Sequence, residues 1–208
     1  MLYRRGDPPH AVIGGRGTED MRANVTRAAE GFDRRSFTVA EILRMQDAGI
    51  VSEDENFELI EGEIVPMQAK THTHELIKST LNIGIARALP DRLWLGVEST
   101  IYLSADTFVE PDLVIYPKGI KLEDVKGSDI LLAIEVAVTS LAYDRGLKAR
   151  LYARHGVNEV WVIDAERRRT FIHSGPGPAG WRTILERGRE QALTFAALPE
   201  FSVQLGSI

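Results

Sequence analysis

The chain has 208 residues, 44% hydrophobic and 26% charged, which suits one globular domain with appendages and a real core. A formal net charge of −5 argues against a general nucleic-acid coat, although a basic cleft on an acidic body stays open. The absence of cysteine excludes disulfides and thiolate metal sites, and no apolar run reaches the length of about eighteen residues that a membrane span needs.

Residues 1–35 are rich in Gly, Arg and Pro and show no sustained periodicity, so they are expected to form a tail or loosely attached arm. They also lack the apolar stretch of a secretion leader, and a cytoplasmic location is expected. A second unit, residues 36–208, begins at "FTVAEILRMQDAG". There Thr38 and Glu41 have the spacing of a capping box, which predicts a helix from Val39 to about Gln46 with Gly49 near its end. In "FELIEGEIVPM" two apolar-bearing runs flank Glu61-Gly62, which predicts a tight β-hairpin whose second strand, containing Pro66, is an edge. "HTHELIKSTLNIGIARAL" places Ile77, Leu81, Ile85 and Ala88 on one helical stripe.

"LWLGVESTIYLS" reads as extended structure ending near Ser104-Ala105-Asp106, and "EPDLVIYP" as a short strand bounded by prolines. "ILLAIEVAV" is apolar almost throughout, as a central strand covered on both faces would be. In "YDRGLKARLYARHG", Tyr143, Leu147 and Leu151 form an apolar helical stripe that stops at Gly156. "EVWVID" is a further buried strand, followed by hairpin-like strands with "GPGPAG" as a loop between two of them. This order predicts an α/β (α+β) domain with a mixed central sheet. No repeat, Gly-rich phosphate loop or HExxH site is present, since His72 and His74 are only two apart. Of two basic clusters, one runs through Arg145, Lys148, Arg150 and Arg154, and the other, Arg167 to Arg169, is expected to be a hairpin turn.

Glu135 interrupts the apolar run, and a carboxylate in a buried strand is costly unless a cation or water meets it. Asp112 opens the preceding strand. The spacer between them has the polarity and turn residues of a connection between neighbouring strands, which would bring the two carboxylates together. Two acids at short range repel, and a divalent cation removes that penalty. Mg²⁺ (or Mn²⁺) suits such a site, since it is held by one or two carboxylates with water and phosphate. The backbone carbonyl of Val136 is a third candidate ligand. Lys148, on the next helix, either makes a plain i, i+4 salt bridge with Asp144 or reaches the metal site to orient water or offset charge on phosphate.

At these residues the sequence resembles the PD-(D/E)XK nuclease superfamily, and within it the Uma-type restriction endonuclease family, widespread in bacteria. The resemblance runs through "FTVAEILRMQDAGI", "FELIEGEIVPM", "EPDLVIYP", "ILLAIEVAVTSLAYDRGLKARLYARHGVNEVWVID", "GWRTI" and "LPEFSV", most of residues 36 to 205. It implies a restriction-endonuclease-like αβββαβ core with an N-terminal β-hairpin. Pro111-Asp112 matches the first half-motif and Glu135 the glutamate of the second. The lysine expected two residues later is replaced by Ala137, and Lys148 takes its place from the following helix. Asp144 matches a family aspartate. Glu58 matches a recurrent glutamate that would reach the cleft, the alternative being a surface charge on the hairpin. For His74 a surface position at a helix N-terminus is expected, and Val138 stands where many members carry a polar residue.

The resulting expectation is a Mg²⁺-dependent endonuclease that hydrolyses DNA phosphodiester bonds, with Asp112, Glu135, Lys148 and Glu58 as catalytic residues and Asp112, Glu135 and Val136 as metal ligands. A homodimer is expected by analogy with nucleases that cut both strands. The alternatives are a non-catalytic nucleic-acid-binding or protein-interaction module on the same scaffold, and a hydrolase of another phosphodiester or nucleotide. Glu135→Gln is expected to abolish cutting and to leave the fold intact or firmer.

Overall fold

The computed structural model describes residues 35–52 and 54–208. The arm expected over residues 1–35 lies, except for Arg35, outside the described residues. Helix α1 spans Val39–Asp47, and its capping box forms as the sequence predicts: Thr38 accepts from the Glu41 N–H, while Glu41 accepts from the Thr38 N–H at 2.9 Å. Strands β1 (Phe57–Ile60) and β2 (Glu63–Pro66) form the hairpin. Glu61 and Gly62 both have positive φ, 52° and 82°, the backbone of the two-residue turn that matches strand twist. Gly62 is also required sterically, since a Cβ there would come within 2.5 Å of Ser36.

Helix α2 is His72–Ala88, and its buried stripe includes Ile77, Leu81 and Ile85. The extended stretch after it divides into β3 (Leu93–Val97) and β4 (Ile101–Ser104), which join different sheets. A strand too short to register as a pattern, β5 (Thr107–Val109), follows. Then come β6 (Leu113–Pro117) and the fully buried β7 (Leu132–Ala137). Helix α3 covers 141–154 and contains a π-helical turn, Asp144–Lys148. The remaining strands are β8 (Glu159–Asp164), β9 (Arg169–Gly177), β10 (Gly180–Arg187), β11 (Leu193–Phe195) and β12 (Leu198–Val203). "GPGPAG" is therefore less a loop than the end of a long hairpin, with only Pro178-Ala179 outside the strands.

The main sheet has the order β10-β9-β8-β7-β6-β3 and is mixed: β7 and β8 run parallel and the other pairs antiparallel. A parallel pair needs a crossover, and α3 provides it. A smaller sheet, β2-β1-β5-β4, carries the hairpin with β2 at its edge. One face of the main sheet packs Leu113, Ile134 and Trp161 against α2 and the β11–β12 hairpin. The other packs Val114, Ala133 and Val162 against Leu151 and Tyr152 of α3 and against Ile60 and Ile101 of the smaller sheet. Among the described residues no helix is long and apolar enough to cross a membrane.

The apolar stripe expected on α3 is displaced. Leu147 is exposed and Tyr143 only half-buried, whereas Asp144, Lys148, Leu151 and Tyr152 are buried. A π turn bonds i to i+5 and so rotates the residues around it away from α-helical register. Here it turns a charged pair inward.

Candidate active site

The last registered pair of β6 and β7 is Leu113 with Ile134, so Asp112 stands opposite Glu135 one step further on. Alternation puts both on the side of Val114 and Ala133, the face covered by α3. Both are largely buried, at 7% and 5% exposure, and both line a cavity of about 160 Å³. Val136 N–H donates to Asp112 Oδ2 at 2.7 Å, which ties the acid to the neighbouring strand. Within a strand, one residue's N–H and C=O lie on the same edge, so the Val136 carbonyl also faces the β6 side.

Lys148 reaches in from the π turn. Its Nζ is 2.9 Å from Glu135 Oε1 and 2.7 Å from Glu58 Oε1. The i, i+4 pair with Asp144 does not form; Asp144 instead accepts from Ser140 Oγ at 2.6 Å. Glu58 is buried, not a surface charge, and its Oε1 also accepts from the Glu110 N–H at 2.8 Å. Tyr152 donates to Glu135 Oε1 at 2.6 Å. Both protein contacts of Glu135 therefore fall on Oε1, and among the described residues Oε2 accepts no hydrogen bond.

Burial raises the Glu135 carboxyl well above the usual range; Lys148 opposes this, while Asp144, Asp112 and Glu58 push the same way as burial. Burial also raises Asp144, against the pull of Lys148 and Ser140. For Lys148, burial alone would weaken the ammonium, but Glu135 and Glu58 outweigh it and hold the group charged well above its ordinary value.

His74 is a correction to the sequence reading. It is buried, at 7% exposure, and its Nε2 lies 3.0 Å from Asp112 Oδ1. Its Nδ1 lies 3.2 Å from Glu75 Oε1. Burial would lower its pKa, but the two carboxylates dominate and the net shift is upward. Tyr143 contributes a wall of the same cavity, and its hydroxyl is buried without a hydrogen-bond partner.

The donor set fits a hard divalent cation: two adjacent carboxylates and a backbone carbonyl, all oxygen, beside an open cavity. Among the described residues no three His, Asp or Glu side chains are grouped as an all-protein metal cage. A Mg²⁺ ion that keeps several waters does not need one.

A family model described as "Uma2: Putative restriction endonuclease" matches residues 39–206. The chain belongs to the Uma2 family. Among solved structures it is similar to one titled a "putative nuclease belonging to DUF820" from Anabaena variabilis, with a TM-score of 0.64 at 16% identity. The match covers 82% of this chain and 96% of that one, so the two share the mixed-sheet, restriction-endonuclease-like fold. No curated protein matches the chain. Uma2 membership supports a nuclease activity.

Of the residues singled out from sequence, Asp112, Glu135, Lys148 and Val136 line one cavity, while Glu58 does not line it and joins the cluster from behind, through Lys148. Val138 lines it as well. The sequence reading missed Tyr152 and the true place of His74. For Tyr152 a signal was available, because Asp144, Lys148 and Tyr152 follow at i, i+4 and i+8.

Proposed function

We propose that the protein is a Mg²⁺- or Mn²⁺-dependent endonuclease acting on DNA, with the ion held by Asp112, Glu135 and the Val136 carbonyl. The observation that supports this most is the free Oε2 of Glu135 beside Asp112 at an open cavity, with a buried ammonium on the other oxygen. When bound, the ion would polarise the scissile phosphate and lower the pKa of a water.

The chain's own residues divide the remaining work. Lys148, kept charged by Glu135 and Glu58, serves as a donor and positive charge for phosphate oxygens and not as a base. Glu58 sets the ammonium's position. Val136 N–H and His74 fix the two oxygens of Asp112. Tyr152 fixes Glu135 Oε1 and leaves Oε2 to face the ligand. The reading includes a cytoplasmic location and a homodimer, the latter supported by the exposed Ile184 and Leu185 on edge strand β10, with light scattering as its check.

The test is cutting of supercoiled plasmid and single-stranded DNA with Mg²⁺ or Mn²⁺. Wild type should cut, and Asp112→Asn and Glu135→Gln should not. A wild-type protein that cuts neither substrate with either metal would overturn the proposal and leave the non-catalytic binding module in its place.

A further inference from the structure

Glu98 stands where the chain leaves β3 of the main sheet for β4 of the smaller one, and its φ is +47°. That left-handed backbone favours glycine, so a long charged side chain kept there calls for a use. The Glu98 N–H donates to the Asp112 carbonyl at 3.1 Å. Its carboxylate is gripped by Lys70, at 2.5 Å, and by Lys78. Lys78 is buried on α2 and also bonds Glu75 Oε1 at 2.8 Å. Glu75 contacts His74 Nδ1, and His74 Nε2 contacts Asp112 Oδ1.

These contacts close a ring. It leaves Asp112 at the main-chain carbonyl, passes through Glu98, Lys78, Glu75 and His74, and returns to the Asp112 carboxylate. Glu75 is 43% exposed and would be a loose anchor for the His74 ring on its own. Lys78 holds it, and Lys78 in turn is held by Glu98. Lys70 also borders the cavity, so the same carboxylate tethers a cation at its wall.

The geometry points to Glu98 as a positioning residue that fixes Asp112 for the ion through both its main chain and its side chain. The role of Asp112 rests on the nuclease reading; the ring of contacts does not. Outer partners of metal-ligating side chains typically change metal affinity by about 10- to 100-fold when removed.

Glu98→Gln keeps the shape and removes the charge; Glu98→Asn, which tolerates left-handed backbone, is the second variant should the first fail to fold. Two readouts are taken on the full chain. In Mn²⁺ titration calorimetry the variant should bind more weakly than wild type, by up to about 10-fold, the low end of that range, because the Glu98 side chain reaches the Asp112 carboxylate through Lys78, Glu75 and His74. In the metal-free protein, the ¹⁵N signals of the His74 ring should shift between wild type and variant as its clamp loosens. A variant that melts at lower temperature yet binds Mn²⁺ like wild type, with unchanged His74 signals, would overturn the proposal, since a purely structural charge behaves that way. If wild type itself binds no Mn²⁺, the nuclease reading fails, and the His74 signals alone decide whether Glu98 is the clamp.

Discussion

Replacing Lys148 with Met probes the buried charge cluster directly. The ammonium is 2.7 Å from Glu58 and 2.9 Å from Glu135, and the three side chains are only 4–6% exposed. At an effective dielectric of about 20 each contact is worth roughly 6 kcal/mol before desolvation. Each buried ion costs several kcal/mol to bring out of water, so the intact triad contributes little net stability. Its broken form is different: Met leaves two acids buried with no counter-charge, and loss of one partner of a buried pair costs about 3–5 kcal/mol. Urea denaturation followed by circular dichroism should show that loss at neutral pH. The deficit should shrink as pH falls, because Glu135, already raised by burial, then protonates and no longer needs a partner. Added Mn²⁺ should stabilise the variant more than wild type, since the metal replaces the missing cation. A Lys148→Met protein within about 1 kcal/mol of wild type at neutral pH would refute the reasoning, because no buried pair would have been broken.

Glu135→Gln keeps an acceptor for Tyr152 and Lys148 and removes a charge that burial disfavours even beside Lys148, so stability at neutral pH should equal that of wild type or exceed it by about 1 kcal/mol or more. The expectation from sequence is likewise a fold left intact or firmer; a loss of more than about 1 kcal/mol would show that the pair with Lys148 outweighs the cost of burying the charge. Asp164 accepts from the Arg167 N–H and from Arg169 Nε, both at 3.0 Å. Burial opposes ionisation, but these contacts outweigh it and hold the carboxyl below its ordinary value. Its stabilisation is thus present above the unfolded value of about 3.9 and lost as pH falls through the lower folded one, so the gap of about 1–2 kcal/mol to Asp164→Asn at pH 7 should close in acid. A gap independent of pH would contradict the assignment. Tyr143→Phe removes a buried hydroxyl with no partner and should leave stability equal or up to about 1 kcal/mol higher; a larger loss would show that the hydroxyl is bonded.

Local chemistry was legible where one stretch of chain decides the outcome. Thr38 and Glu41 fix the start of α1, Glu61-Gly62 fixes the hairpin, and Ile77, Leu81 and Ile85 define the inner face of α2. The pairing of Asp112 with Glu135 could be read because a single turn-rich connection joins their strands. What failed depended on partners distant in sequence or on a break in period. The burial of His74 follows from Asp112, which no local pattern reveals. Glu58 meets Lys148 only through the packing of the smaller sheet against α3, so the sequence left its surface and cleft readings level. The stripe of Tyr143, Leu147 and Leu151 assumed an α-helix throughout, and the π turn at Asp144–Lys148 moved the buried face to the charged residues. The division of β3 from β4 turns on the left-handed Glu98, a conformation that a glutamate does not announce.

The most direct measurement is anomalous diffraction from crystals grown with Mn²⁺. The account predicts one peak between Asp112 and Glu135, bonded to Glu135 Oε2 and not to the Oε1 held by Tyr152 and Lys148, at the short distances typical of carboxylate ligation. Crystals that show Mn²⁺ elsewhere on the molecule and none between these two acids would contradict it.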